Sequence, residues 1–208
     1  MSQSHKPRLI VITDINNGPG DPDDRQSLCH LVLYADVLDI RGIVPDRFSP
    51  KAIETCHIAF DLYEEDFNRP GTRFGDDGFP QADFFRDEAL KTTQEAAVEH
   101  ILREAHRDDP RPLYVLIWGN MNVVATALKR DPTIAGSLRL FTIATNLMYE
   151  DKNGGDDEKP NWNGASRDEV FETYPELWWV ESDWTYNAMF DGPEFEAGEL
   201  VGGPPVEL

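Results

Sequence analysis

The stretch Arg8-Leu-Ile-Val-Ile-Thr13 narrows the possible folds more than any other part of the chain. It is a short apolar run enriched in β-branched residues, bounded by Pro7 and by a loop rich in Gly, Pro, Asn and Asp. A strand apolar on both faces must be covered on both faces, the condition of a parallel sheet inside an α/β domain. The loop from Asp14 to Asp23 holds Asn16, Asn17, Gly18, Pro19, Gly20 and Pro22 and cannot be helical. A helix is expected from about Asp24, with Asp23 as its N-cap and Gln26 three residues on. Leu28, Leu31, Val32, Ala35 and Leu38 follow at helical spacing. Asp39-Ile-Arg-Gly-Ile-Val44 reads as a second strand, so residues 8–44 form a βαβ unit with two parallel strands.

The rest of the chain continues the alternation. Ser49-Pro50 has the form of an N-cap with proline at the first helical position, starting a helix through Ile53, Cys56, Ile58, Ala59 and Leu62. Residues 67–85 carry Pro70, Gly71, Gly75, Gly78 and Pro80 with phenylalanines among charges, and predict a long, ordered, lid-like loop. An amphipathic helix over 91–107 leads to a third buried strand over 112–118. A short helix over 122–129, a strand over 138–144, a helix over 167–173 and a strand over 177–181 complete the pattern. This order implies an α/β fold of three layers, α/β/α, with a mainly parallel sheet. Residues 1–7 read as a flexible N-terminal tail, 8–190 as one domain, and 191–208 as an irregular C-terminal tail or the start of a truncated continuation. A fifth strand with nothing after it to cover its edge predicts a homo-oligomer or a longer gene.

Charge removes several classes of function. Thirty-nine acidic against 19 basic residues give a net charge of -20, with no basic stripe, so nucleic acid is not an expected partner. Such a balance suits either a protein kept soluble at high salt or an ordinary acidic one. No run of apolar residues is long enough to span a membrane, and the apolar run before Asp14 is too short for a signal peptide. Cys29 and Cys56 lie in apolar-periodic stretches and read as buried thiols; a cytoplasmic address is expected.

In open α/β sheets, sites form beyond the carboxyl ends of the strands. Those ends are Asp14 with its loop, Pro45-Asp46, Trp118-Gly-Asn-Met-Asn122, Thr145-Asn146 and Ser182-Asp183. The first loop is the sharpest feature, because Asp14, Asp21, Asp23 and Asp24 would repel one another without a cation or a web of donors. Oxygen-only ligands point to Ca²⁺, with Mg²⁺ as an alternative, and not to zinc. The spacing is not that of an EF-hand, a P-loop or a dinucleotide fingerprint. Equally, Asp14 can simply end a strand while Asp21 and Asp23 serve as turn and cap residues. Asn120 and Asn122 either line the site or cap the helix that follows. Trp178 and Trp179 point to opposite sides of a strand, so at most one faces a pocket. His30 and His57 read as core or boundary residues, His100 and His106 as solvated ones.

Val11-Ile-Thr-Asp14 and Gly18-Pro-Gly-Asp-Pro-Asp-Asp24, followed by an apolar helix, resemble the N-terminal signature of the nucleoside hydrolases. They are closer still to the nucleoside-hydrolase-like domain of bacterial cellulose-binding proteins. Val37-Leu-Asp-Ile-Arg-Gly-Ile-Val44, the stretch from Asp108 to Leu128, and Trp162 to Tyr186 with Tyr174-Pro-Glu-Leu-Trp-Trp extend the likeness. The resemblance implies a nucleoside-hydrolase-like fold and hydrolysis of N-glycosidic or related bonds. It makes Asp14 a calcium ligand and the base that activates water, Asp24 a second calcium ligand, and Asp23 the holder of the sugar hydroxyls. Asn122 matches an asparagine near metal and sugar; Asn120, Asn146 and Trp162 are further candidates for substrate contact. A nucleoside or sugar is the implied partner. Ile12 stands where the hydrolases have their first aspartate, five extra residues separate Asp14 from the Asp-Asp pair, and no histidine follows His106. These departures leave a non-catalytic carbohydrate-binding or structural relative as the alternative.

Overall fold

A computed structural model describes residues 6–16, 23–72, 74, 78–143 and 166–182. Five strands form one sheet: β1 (Arg8–Thr13), β2 (Asp39–Pro45), β3 (Leu113–Ile117), β4 (Leu138–Thr142) and β5 (Trp178–Glu181). Their order is β2-β1-β3-β4-β5 and every pairing is parallel. All six residues of β1 are buried, as a central strand of a doubly covered sheet requires.

Alternate residues of β1 face different layers. Leu9 and Val11 join one core with α1 (Asp23–Val32), α2 (Pro50–Asn68) and a π-helix at Phe84–Ala89. Ile10 and Ile12 join the opposite core with α3 (Gln94–Ala105), α4 (Asn122–Arg130), a 3₁₀ turn at Pro132–Ser137 and α5 (Ser166–Thr173). The three-layer α/β/α reading therefore holds. α2 starts as its sequence dictates: the Ser49 hydroxyl accepts from the Ala52 amide at 3.1 Å, with proline in the first turn. β5 is pinned to α5 by the paired Arg167–Glu181 contacts at 2.8 Å and to β4 by the Trp179 indole donating to Thr142 Oγ1 at 2.9 Å. Trp178 lies on the other face against Phe141, ring centres 5.4 Å apart, so the two tryptophans do diverge.

Three local expectations change. α1 ends at Val32 and residues 33–38 form turns, so Ala35 and Leu38 reach the core from outside the helix. The segment after α2 is not a lid on the strand-end crevice. Its Phe74 packs on Tyr63 of α2 at 5.5 Å and on Phe79 at 4.7 Å, and Gly78, Pro80 and Phe84 sit beside Leu38 and Asp39, where β2 begins. His100 is buried at 4% exposure rather than solvated. The chain crosses from one layer to the other past the free edge of β2, where the Lys91 amide donates to the Ile43 carbonyl at 2.9 Å. That passage covers the edge strand.

The opening end of the sheet is closed by ion pairs. Arg8 is 2% exposed, and its guanidinium donates to the carbonyls of Glu104 (3.2 Å) and Arg111 (2.8 Å) beside the carboxylates of Glu104 and Asp109. Arg111 in turn bridges Asp109 (2.6 Å) and Asp39 (2.9 Å). Removing one partner of a buried charge set strands the others. Arg8→Ala is therefore expected to lower stability by about 3–5 kcal/mol, whereas Arg130→Ala, which breaks the exposed pairs to Glu95 and Glu99, should leave stability close to that of the parent. Urea unfolding of the two variants beside the parent chain measures both.

Candidate functional site

The carboxyl ends of β1, β2 and β3 are locked together by two backbone bonds, and a turn closes after β2. The Asp46 amide donates to the Thr13 carbonyl at 2.9 Å, the Trp118 amide to the Ile12 carbonyl at 2.7 Å, and Phe48 closes a turn on Pro45 at 2.9 Å. In this strand order the switch point falls between β1 and β3, where open α/β sheets form their crevice. Asp14, Asp46 and the Gly119-Asn120 step meet there.

Thr13 ties the strand to the helix. Its hydroxyl donates to Asp24 Oδ1 at 2.6 Å and accepts from the Ile15 amide at 3.1 Å. Asp24, in the first turn of α1, is thereby drawn under the strand end to 5% exposure. Burial, a hydrogen bond to Asp14 and the charges of Asp14 and Asp23 push its carboxyl far above the usual range, against the opposing Thr13 bond. Asp23 is half-buried beside Asp24.

The sequence reading placed Asp46 at a strand end but gave it no role; the fold gives it one. It is 8% exposed, its Oδ2 accepts from the Asn120 amide at 2.7 Å, and its Oδ1 is buried without a hydrogen-bond partner. Burial raises its carboxyl to about 6, opposed by the Asn120 amide and helped by the charge of Asp14. Arg47 next to it is about half-exposed and donates to Asp14 Oδ2 at 3.0 Å. Phe48 follows with φ 46°, a strained conformation for a side chain of that size, which fixes where the turn aims Arg47. Only adjacency of β1 and β2 reveals Arg47 and Asp46 as site residues; the available sequence signal is an aspartate at the end of a strand.

Gly119 lets these pieces approach. A Cβ there would collide with Asp46 Oδ2 and lie 2.8 Å from the Asp14 amide and 2.9 Å from Asp14 Cβ. Asn120 Oδ1 accepts from the Asn122 amide at 3.0 Å, so Asn120 caps α4 as well as holding Asp46 through its backbone. Asn122 opens α4 and is exposed. Asn146 and Trp162 lie outside the described residues. The donors are all hard oxygens, and Asp24 lies buried beside the Asp14 carboxylate, so this pair fits a hard cation as two of its ligands. Asp46, with one buried oxygen unpaired, stands beside them. Among the described residues no group of three His, Cys, Asp or Glu side chains is arranged around a metal position.

A parallel five-stranded sheet with carboxylates at the β1–β3 switch point defines an α/β domain whose site lies at the carboxyl ends of its strands. The chain belongs to the family described as "Cellulose-binding Sde182, nucleoside hydrolase-like domain", which it matches over residues 8–198. Two solved structures share the fold. One is a nucleoside hydrolase-related hypothetical protein from Saccharophagus degradans associated with carbohydrate metabolism. It has 17% identity and a TM-score of 0.55, and the match covers 95% of this chain and 50% of that one. The other is an inosine-guanosine nucleoside hydrolase, with 18% identity and a TM-score of 0.52, covering 89% of this chain and 63% of that one. The chain thus spans half to under two thirds of the length of these neighbours. No curated protein matches the sequence. Among the described residues no helix is long and apolar enough to cross a membrane.

The crowded carboxylates set an unusual pH dependence. A carboxyl whose folded pKa lies above its unfolded value binds its proton more tightly when folded, so its stabilising contribution is complete below the unfolded value and is lost as pH rises. Asp46, raised from 3.8 to about 6, and Asp24, raised further, should make the protein less stable as pH climbs from the unfolded value through 6 and above. Asp46→Asn, which keeps an acceptor for Asn120, and Asp24→Asn should flatten that slope and raise the melting temperature above pH 7. Melting curves from pH 4.5 to 8.5 test the sign. By contrast, Gly119→Ala should destabilise by about 1–3 kcal/mol at any pH through overpacking.

Proposed function

We propose that the domain hydrolyses N-glycosidic bonds of nucleosides or closely related glycosidic bonds. The observation that carries this reading is Asp14 at the switch point, flanked by the buried carboxyls of Asp24 on one side and Asp46 on the other. Asp14 takes the proton of an attacking water as the water oxygen bonds to the anomeric carbon and the bond to the base or aglycone breaks. Asp14 and Asp24 would hold the calcium ion, for which magnesium is the alternative. When bound, the ion lowers the pKa of the water and offsets the repulsion between the carboxylates. Asp23 accepts from the sugar hydroxyls, and Asn120, Asn122, Asn146 and Trp162 complete the substrate contacts in this reading. Asp46 adds a hydroxyl acceptor facing β1. Clustered carboxylates stabilise the positive charge that grows on the sugar in an oxocarbenium-like transition state.

A second reading, sugar binding without catalysis, draws on one observation: Arg47 already occupies Asp14 Oδ2, the group needed as base. The family's cellulose-binding description also supports it.

Nucleosides incubated with the chain and calcium should release free sugar, and Asp14→Ala should reduce the rate about 10²–10⁴-fold. Added calcium should raise the melting temperature, by about 2.7 kcal/mol of linkage at a hundredfold excess over its dissociation constant. Asp24→Asn should remove most of that rise. Sugar binding that survives Asp14→Ala, with no product formed, favours the second reading. An unchanged melting curve on chelation and on calcium addition sinks the metal assignment.

A further inference from the structure

A second cluster of charged groups lies away from the strand-end crevice, on the outer edge of β2. Arg41 is five residues upstream of Asp46, about 16 Å along an extended strand. Together with α3 and the π-helix, this edge encloses a cavity of about 420 Å³. Arg41, Arg103 and Arg107 line it with Glu104 and Glu88, and Phe84 supplies an apolar wall. A chain of net charge -20 here gathers three guanidinium groups in one concavity, with Lys91 close by.

Arg41 and Arg107 have carboxylate partners, Glu104 for both and Asp39 at 3.5 Å from Arg41 as well, and Glu88 lines the same cavity. Glu104 receives Arg41 through two bonds of 3.0 and 3.2 Å and Arg107 at 3.3 and 3.4 Å, so one buried carboxylate serves both. Arg103 is exposed and makes no ion pair with a carboxylate among the described residues. It donates instead to Nδ1 of His100, whose Nε2–H donates to the Arg41 carbonyl at 2.6 Å. That pair of bonds requires a neutral imidazole, and burial with the nearby Lys91 and Arg103 charges holds His100 down to about 4. Gly42 makes the arrangement possible, since a Cβ there would lie 3.1 Å from the His100 ring. His100 is therefore a neutral strut that fixes Arg103 at the cavity. The cost of the crowding shows at Lys91, whose ammonium is pushed down by burial and by Arg103 and Arg41. Arg103, held on this frame beside Lys91 and with no carboxylate of its own among the described residues, is the cation placed to meet an anion.

We infer that this cavity is a binding site for a phosphate group, with Arg103 and Arg107 as the principal donors and Arg41, fixed by Glu104, beneath them. A planar guanidinium presents paired N–H groups that match phosphate oxygens, and Arg103 and Arg107, four residues apart, line the same cavity. The volume leaves room for an organic group attached to the phosphate, against Phe84. The site is separate from the Asp14 crevice and does not depend on the function proposed for that crevice.

Titration calorimetry of the whole chain with inorganic phosphate, at ionic strength held constant with sodium chloride, tests this. Saturable binding is expected, weakened about tenfold or more by Arg103→Ala and by Arg107→Ala, and unchanged by Lys129→Ala, a cation on the exposed end of α4. The His100 ring resonances should shift with phosphate and not with chloride. Cooperative melting of both arginine variants shows that they remain folded. No saturable heat in the millimolar range, or equal phosphate affinity in the parent and in Arg103→Ala, overturns the assignment.

Discussion

Burying Asp24 and Asp46 on either side of Asp14 is the constraint on which the functional end of this domain depends. Thr13 bridges the last residue of β1 to Asp24 in the first turn of α1, the backbone of Asn120 grips Asp46, and Gly119 leaves the space that both need. Each of these contacts joins different strands or a strand to a helix. The repulsion is met by protonation of Asp24, by a partial rise at Asp46, and by the single guanidinium of Arg47 on Asp14.

The opposite end of the sheet solves the converse problem. There Arg8, Arg41 and Arg111 interleave with Glu104, Asp109 and Asp39, and the charges pair directly. One face of the sheet thus opens on neutralised charge and the other end on uncompensated acid. The β2 edge between them holds the local excess of positive charge around Arg103. The strongly acidic composition conceals this division, because a net charge says nothing of where its components sit.

Much of the architecture was legible because it rests on local rules. β1 falls at the apolar run Arg8–Thr13, α2 at its Ser49-Pro50 start, and the remaining strands at the β-branched and aromatic stretches that end each α-to-β step. The end of α1 was not, since Ala35 and Leu38 are core residues that helical spacing alone cannot distinguish from helix. His100 was misread because an amphipathic helix gives no sign that an edge strand with a glycine will press against its polar side. The phenylalanines after α2 were read as a lid, and they pack onto the helix that precedes them.

The sequence by itself determined the parallel α/β plan and marked Asp14, Asp23 and Asp24, because hydrophobic patterning and a loop of aspartates are local properties of the chain. Only the tertiary structure decided that Asp46 and Arg47 join them, that Gly119 is required, and that Arg41, His100, Arg103 and Arg107 share one cavity. These groups lie tens of residues apart, and parallel pairing brings them together through register and strand order. A carboxylate's protonation depends on the neighbours and burial that this pairing creates, so the chemistry of Asp24 and Asp46 exists only in the folded sheet.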